Sequence, residues 1–358
     1  GEGFTLRFPR HQAPTRLLPM PSYPRLLSTF RQYGDWLARL GISSVGALND
    51  AIENRRGHEI ILVSEALHSQ NVSEIARQIV ENRDRVRIVL ISGPSSSGKT
   101  TFSKRLSIQL LAQGLSPFPL EMDNYFIDRH KTPLGPDGKP DFESIHALNR
   151  RRLSADLHRL IQGKPARLPH YDFRTGLSRE GEKIQLNNGE IIILEGIHGL
   201  NPELIGDIPP EQTFRIYVSA LTQLNLDRHN RISTTDTRLL RRIVRDARER
   251  GYSAAQTIQG WESVRRGEKR NIFPYQENAD VMFNSALSYE LAVLKPFAEP
   301  LLRQVPVGKP EYVEAKRLLA FLEWFLPMES DLVPDNSILR EFIGSSILKD
   351  FRLWRNGN

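Results

Sequence analysis

The chain has 358 residues, 25% of them charged and 39% hydrophobic, the composition of a soluble globular protein with material for two or three domains. Lys+Arg 49 against Asp+Glu 42 gives a net charge of +7, which favours an anionic partner: nucleic acid, a membrane surface or a phosphorylated small molecule. Cysteine is absent, which excludes disulfides, thiolate metal sites and a cysteine nucleophile.

No run approaches the ~20 apolar residues that cross a bilayer. Residues 1–4 show no basic-then-apolar signal, so a cytoplasmic protein with no membrane association is expected. The chain opens on Gly1 rather than Met, so residue 1 is read as a processed end or an internal boundary. Pro9, Pro14, Pro19, Pro21 and Pro24 forbid a continuous helix over 1–24. Leu26, Leu27, Phe30, Tyr33, Trp36, Leu37 and Leu40 recur at helical spacing, and Gly41 stops that helix. Ser44–Arg55 predicts a second helix, Glu59–Val63 a short strand, and Ser73–Asn82 a third helix with Ser73 as its N-cap. Residues 1–85 therefore read as a small mixed α+β domain.

At 86–92 the texture changes to a near-continuous apolar run, as in a strand buried on both faces of a parallel sheet. Similar runs recur at 191–194 and 214–218, with helices expected over Thr100–Gln113 and Leu148–Ile161. Strands separated by helices predict an α/β domain over 86–306. Beyond Ser285 the pattern turns helical, with apolar stripes in 287–303, 311–325 and 337–354; residues 307–358 read as a helical extension.

Between the first strand and the first helix of this domain stands Gly93-Pro-Ser95-Ser96-Ser97-Gly98-Lys99-Thr100, a G-x-x-x-x-G-K-[ST] loop. Gly93 and Gly98 let the backbone curl round phosphates where a Cβ would intrude. Amides at the helix start, Thr101 included, then face the anion. Lys99 reaches the β- and γ-phosphates and the Thr100 hydroxyl ligates Mg²⁺. The motif, with a buried strand before it and an amphipathic helix after it, predicts binding of a nucleoside triphosphate in a P-loop NTPase fold: a parallel sheet flanked by helices.

Three further features bear on the chemistry. Asp123 follows the second strand and can accept a proton from an attacking hydroxyl or sit near the metal, or simply cap a turn. Glu195 ends the run 191–194, as does a carboxylate that holds Mg²⁺ directly or through water. Eight arginines (Arg228, Arg231, Arg238, Arg241, Arg242, Arg245, Arg248 and Arg250) and no lysine occupy 228–250. In a helix Arg238, Arg242 and Arg245 share one face, suited to gripping phosphate from a lid near 228–270; a solvated charged face is the bland alternative.

With these residues in hand, the chain resembles the uridine kinase and phosphoribulokinase family over roughly 86–285. The likeness rests on GPSSSGKTT, MDNYF, PDFES, PHYDF, ILEGI and RLLRRIVRDARERG, in that order. It implies ATP-dependent phosphorylation of a nucleoside 5′-hydroxyl, with Asp123 as general base and Thr100, Glu195 and Asp123 around Mg²⁺. Arg242, Arg245 and Arg250 match lid arginines; Glu143, Tyr171 and Phe173 match the nucleoside pocket, and Tyr125 joins them as an aromatic neighbour. Gly176, Tyr252 and Gly260 stand where uridine kinases usually carry His, Arg and Gln, so a different pyrimidine nucleoside, thymidine included, is open. The opening GEGFTLRFP resembles the junction after the N-terminal region of threonyl-tRNA synthetases, which some uridine-kinase-like proteins carry. A sugar-phosphate kinase and an ATP-binding protein that binds RNA are the competing readings; a homo-oligomer is compatible with either. Aromatic residues near the acceptor site favour a stacked base over a sugar phosphate.

Overall fold

The computed structural model describes residues 7–9, 11, 13–17, 22–135, 138–227 and 229–351. Most of GEGFTLRFP, and Arg228, lie outside these. Three helices come first: α1 (Pro24–Leu40), α2 (Val45–Glu53) and α3 (Gly57–Glu81). Pro24 sits where a helix has no use for an N–H, and Gly41 ends α1 in left-handed backbone at φ 76°. Ser44 caps α2 by accepting from the Ala47 amide. The strand expected at 59–63 is instead the opening of α3, a 25-residue helix, and Ser73 lies inside it rather than at its cap. Ile60, Ile61, Ser64, His68, Val72, Ile75 and Ile79 are all buried along α3, a helical stripe that overrides the β-branched character of the short run.

The chain then builds β1 (Ile88–Ser92), α4 (Lys99–Ala112), β2 (Pro117–Glu121), α5 (Arg150–Ile161), β3 (Ala166–Asp172), β4 (Leu177–Ile184), β5 (Ile191–Glu195), β6 (Thr213–Ser219), α6 (Thr234–Arg250), α7 (Ala254–Asn271) and β7 (Val281–Asn284). Five strands pair in parallel in the order β2-β5-β1-β6-β7, while β3 and β4 form a separate antiparallel pair. All five residues of β1 are buried, as an apolar central strand requires. β2 lies at the sheet edge, where Pro117 and Pro119 lack the N–H that would recruit another strand. In register, Glu121 faces Glu195 and Ile91 faces Glu195, so the carboxyl ends of β1, β2 and β5 converge. In an open parallel sheet that is where a ligand sits.

Helices α8 (Glu290–Arg303), α9 (Glu311–Leu322) and α10 (Arg340–Ile343) follow. Among the described residues of the helix expected over 337–354, only four are helical, because Gly344 at φ 100° and Ser345 at φ 58° turn the chain away; residues 352–354 lie outside the described residues. One face of the sheet shares a continuous apolar core with both flanking segments, running from Ile42 and Leu48 through Val89 and Phe102 to Leu318 and Phe342. The other face packs Leu90, Leu120, Leu157 and Ile192. A buried carboxylate ties the pieces together: Glu65 on α3 accepts from the Tyr289 hydroxyl at 2.7 Å and the Ser337 hydroxyl at 2.5 Å, with Arg105 of α4 at 3.6 Å. Among the described residues no helix is long and apolar enough to cross a membrane.

A shared core predicts cooperative unfolding. Leu48→Ala, at a fully buried position on α2, should cost ~2–5 kcal/mol and lower the midpoint of a single urea transition. Separate melting of residues 24–81, seen as an early phase in circular dichroism, would contradict this.

Candidate active site

β1 delivers the chain to Gly93, where a Cβ would lie 1.9 Å from the Val218 carbonyl oxygen of β6. Only glycine can leave the sheet at that point. Ser96 at φ 58° and Gly98 at φ 82° then curl the loop through left-handed backbone into the start of α4, a conformation that turns successive amides toward one anion. Lys99 lies back across its own loop, with Nζ 3.3 Å from the Pro94 carbonyl. Ser97 is buried, and its hydroxyl has no partner among the described residues.

Adjacent strands bring the acids in. Glu195 ends β5, and Asp123 lies in the short turn Met122–Tyr125 just after β2. The Thr100 hydroxyl donates to Glu195 Oε2 at 3.2 Å. Burial pushes Glu195 up to about 7, opposed by Lys99, while Asp123 and Glu341 push the same way. Asp123 is also raised, by desolvation, with Lys99 pulling back and Glu121 adding to the rise. Two carboxylates crowded beside a hydroxyl, with lysine as the main counter-charge, form an oxygen set short of positive charge. That set fits a divalent cation of the Mg²⁺ type.

α6 lies over the loop. Arg242 Nη1 donates to the Ser95 hydroxyl at 2.9 Å, and Arg245 Nη2 to the Ser96 hydroxyl at 3.2 Å. Arg238 also reaches the loop, at the Ser95 carbonyl, but it is buried and its guanidinium is bound by Glu268 of α7. It therefore anchors α6 to the loop and to α7. Glu268 in turn accepts from the Ser95 amide at 3.0 Å. Arg241 is fully buried against Glu290, at 2.7 Å from Nε. Arg250 bonds Asp246 at 3.1 Å, and the same carboxylate takes Arg242 Nε at 3.2 Å.

The residues expected to line an acceptor pocket part company. Tyr171 and Phe173 meet at 5.0 Å between ring centres, with Phe126 and Phe142 completing an aromatic wall. Glu143 is raised to about 7, chiefly by burial and then by Glu268, with Arg242 and Lys99 opposing. Its flank is pressed on Gly267, where a Cβ would lie 2.4 Å away. Tyr125 is not brought to the cleft: its ring is buried and its hydroxyl donates to Asp156 at 3.1 Å. Gly176 has φ 71°, and the Arg129 side chain fills the space where a Cβ would project, donating from Nη2 to the Phe173 carbonyl at 2.5 Å. Sequence reasoning missed Glu268, Glu290, Glu341 and Arg129; among these, only the helical position of Glu268 on the inner face of α7 offered a signal.

A model of the phosphoribulokinase / uridine kinase family matches residues 88–292. A uridine kinase of Brevibacillus brevis is 32% identical over 198 residues, 54% of this chain and 83% of that protein. One from Anoxybacillus flavithermus is 28% identical over 201 residues, 56% and 86% respectively. One from Ligilactobacillus salivarius is 29% identical over 214 residues, 59% and 92% respectively. Helices α1, α2, α3, α9 and α10 fall outside the matched segment.

The raised Glu143 makes a prediction about pH. Its carboxyl titrates at about 7 when folded against an ordinary 4.5, so between those values the folded state holds more protons than the unfolded. Stability from this group is present below about pH 4.5 and is lost as pH rises through about 7. Glu143→Gln should flatten part of the decline in Tm between about pH 5 and about pH 8. An unaltered profile would show that the carboxyl is solvated.

Proposed function

Because the chain belongs to the phosphoribulokinase/uridine kinase family, we propose that it transfers the terminal phosphoryl group of ATP, with Mg²⁺, to the 5′-hydroxyl of a pyrimidine nucleoside. What carries this reading is Asp123, a desolvated carboxylate at the carboxyl edge of the sheet whose strongest opposing charge is the loop's own Lys99.

The loop amides, Lys99 and the hydroxyls of Ser95 and Ser96 receive the phosphate oxygens. Arg242 and Arg245 already touch those hydroxyls and need only side-chain rotation to reach the same oxygens. Thr100, Glu195 and Asp123 would hold Mg²⁺, which when bound supplies charge neutralisation at the β- and γ-oxygens. Asp123 accepts the proton of the 5′-hydroxyl as that oxygen bonds to the γ-phosphorus and the bridge to the β-phosphate breaks, leaving ADP. A carboxylate with a raised pKa is a better base for this step than an exposed one. Tyr171 and Phe173 offer an aromatic surface for a base, and Glu143 and Arg250 would bind the rest of the nucleoside. Positioning and fixed charge do most of the work in such a transfer.

A second reading has one observation in its favour. Beyond Gly267 a polar cleft of about 370 Å³ is lined by Lys139, Arg266 and Arg270, with Asp141 and Glu262 between them. Such a subsite would suit an acceptor that already bears phosphate.

ADP release with ATP against ribonucleosides, deoxyribonucleosides and sugar phosphates separates the two. Turnover with a pyrimidine nucleoside supports the first reading; turnover with sugar phosphates alone defeats it. Lys99→Ala should abolish transfer. Asp123→Asn should lower kcat about 10²–10⁴-fold while ADP still binds, and unchanged turnover would reduce Asp123 to a structural role.

A further inference from the structure

The described chain beyond α9 crosses back over the start of α4, from outside the segment matched by the family. Ile338 is buried against the phosphate loop so closely that a Cβ on Gly98 would lie 2.5 Å from its Cγ2. Phe342 is buried under the guanidinium groups of Arg241 and Arg245, 4.9 and 5.6 Å from its ring centre. Lys104 Nζ donates to the carbonyls of Leu348 and Lys349 at 2.6 and 3.0 Å, and Arg248 Nη2 to that of Glu341 at 2.8 Å. Between this segment, α4 and α6 lies a cleft of about 230 Å³, walled by Thr101, Lys104, Arg248, Glu341, Ser346 and Leu348.

The Glu341 carboxylate plugs the inner end of that cleft. Its Oε2 accepts from the Thr101 hydroxyl at 2.8 Å and the Thr101 amide at 3.4 Å, and its Oε1 accepts from Arg245 Nη1 at 3.1 Å. Gly98 precedes helix α4 at its N-cap and provides no side-chain cap, so the Thr101 amide is one of the donors that a helix start leaves free. The Thr101 amide and hydroxyl each have a single proton to give. They lie directly after Lys99 and Thr100, in a loop built for a polyanion, so the carboxylate holds a phosphate's place. With a phosphate nearby the two anions would also repel.

We propose that residues 338–349 form part of the donor-nucleotide site: the cleft takes the nucleoside half of the donor, and Glu341 is the group that the donor's first phosphate displaces from Thr101 and Arg245. The inference rests on the phosphotransfer reading above. Glu341 then sets donor affinity as a positioning residue, since its release is a cost that every productive binding event meets. The segment does not depend on this carboxylate for its seat: Ile338, Phe342 and the Lys104 contacts hold it without Glu341.

Calorimetric titration with ADP and with inorganic tripolyphosphate tests this, since the second probe has phosphates and no nucleoside. Glu341→Gln keeps the shape but weakens the acceptor, and should tighten ADP about tenfold. Ser346→Trp, which fills the cleft, should weaken ADP at least about tenfold and leave tripolyphosphate within about twofold. Melting curves report whether each variant folds. Hydrogen exchange on the unmodified chain gives a readout that needs no variant: ADP, and not tripolyphosphate, should slow exchange across 346–349. ADP affinity unchanged or weakened in Glu341→Gln, or no exchange difference between the probes, would overturn the proposal. If neither probe binds in a Lys99-dependent way, the phosphotransfer reading falls and this one with it. Lys99-dependent ADP binding that ignores Glu341 and Ser346 would leave phosphotransfer standing and sink this inference alone.

Discussion

The site depends on two guanidinium–carboxylate pairs that water does not reach. Arg238 with Glu268 and Arg241 with Glu290 have side chains at most 2% exposed. Burying such charges is expensive unless their remaining hydrogen-bonding groups are used. Part of that capacity is used on the phosphate loop itself, while Arg238 Nε and Glu290 Oε1 have no hydrogen-bond partner among the described residues. Arg238 donates to the Ser95 carbonyl while Glu268 accepts from the Ser95 amide, so one pair grips both polar groups of a single loop residue. Arg241 donates to the Ser285 carbonyl at 2.8 Å after β7, fixing α6 to the sheet. With these two arginines facing inward, Arg242 and Arg245 are held against the hydroxyls of Ser95 and Ser96.

That arrangement separates what was legible in the sequence from what was not. The phosphate loop and the strand-end acids are local signals: Gly93, Gly98, Lys99 and Thr100 are contiguous, and Asp123 and Glu195 each end a short apolar run. Parallel pairing of neighbouring strands then brings them together without further information. The arginine run put Arg238, Arg242 and Arg245 on one face of α6 but could not divide the anchoring arginine from the two that touch the hydroxyls of Ser95 and Ser96. That division is set by Glu268 and Glu290, which lie on other helices and read in isolation as solvated acids. Tyr125 fails for a related reason. It is two residues from Asp123, and in so tight a turn a neighbour at that distance points elsewhere, here into the core beside Asp156.

The expectations at the two ends fail on packing rather than chemistry. Residues 59–63 look like a strand because their β-branched side chains are counted without their neighbours. Once Ser64, His68 and Val72 join Ile60 and Ile61, the stripe is helical. At 337–354 the apolar residues do recur, but Gly344 and Ser345 break the backbone, and Ile338 and Phe342 are spent on the phosphate loop and on α6 instead of a regular helix. Both ends meet at Glu65, whose carboxylate joins α3 to Tyr289, to Ser337 and, more loosely, to Arg105 on the helix that carries the phosphate loop. The flanking segments are thus coupled to α4 through one buried acceptor. This gives them a physical part in holding the loop.

The excess of positive charge takes on a different meaning once its partners are known. A basic lid free in solvent would be a general anion trap, as ready for nucleic acid as for a triphosphate. In this fold the arginines of α6 are already matched: Arg238 by Glu268, Arg241 by Glu290, Arg242 and Arg250 by Asp246, Arg245 by Glu341, and Arg248 by Glu249. An incoming anion must exchange with a carboxylate rather than add to open charge. Buried pairs resist that exchange, because removing one partner strands the other. The pair of Arg245 with Glu341 is only partly buried and borders the loop, whereas Arg242 and Arg250 share Asp246, a carboxylate 1% exposed. Exchange is therefore favoured only for a ligand that presents several phosphate oxygens there at once, within the narrow space between Lys99, Thr101 and α6. On the phosphotransfer reading proposed above, selectivity for a polyphosphate over a diffuse polyanion would follow from this pairing, not from the net charge.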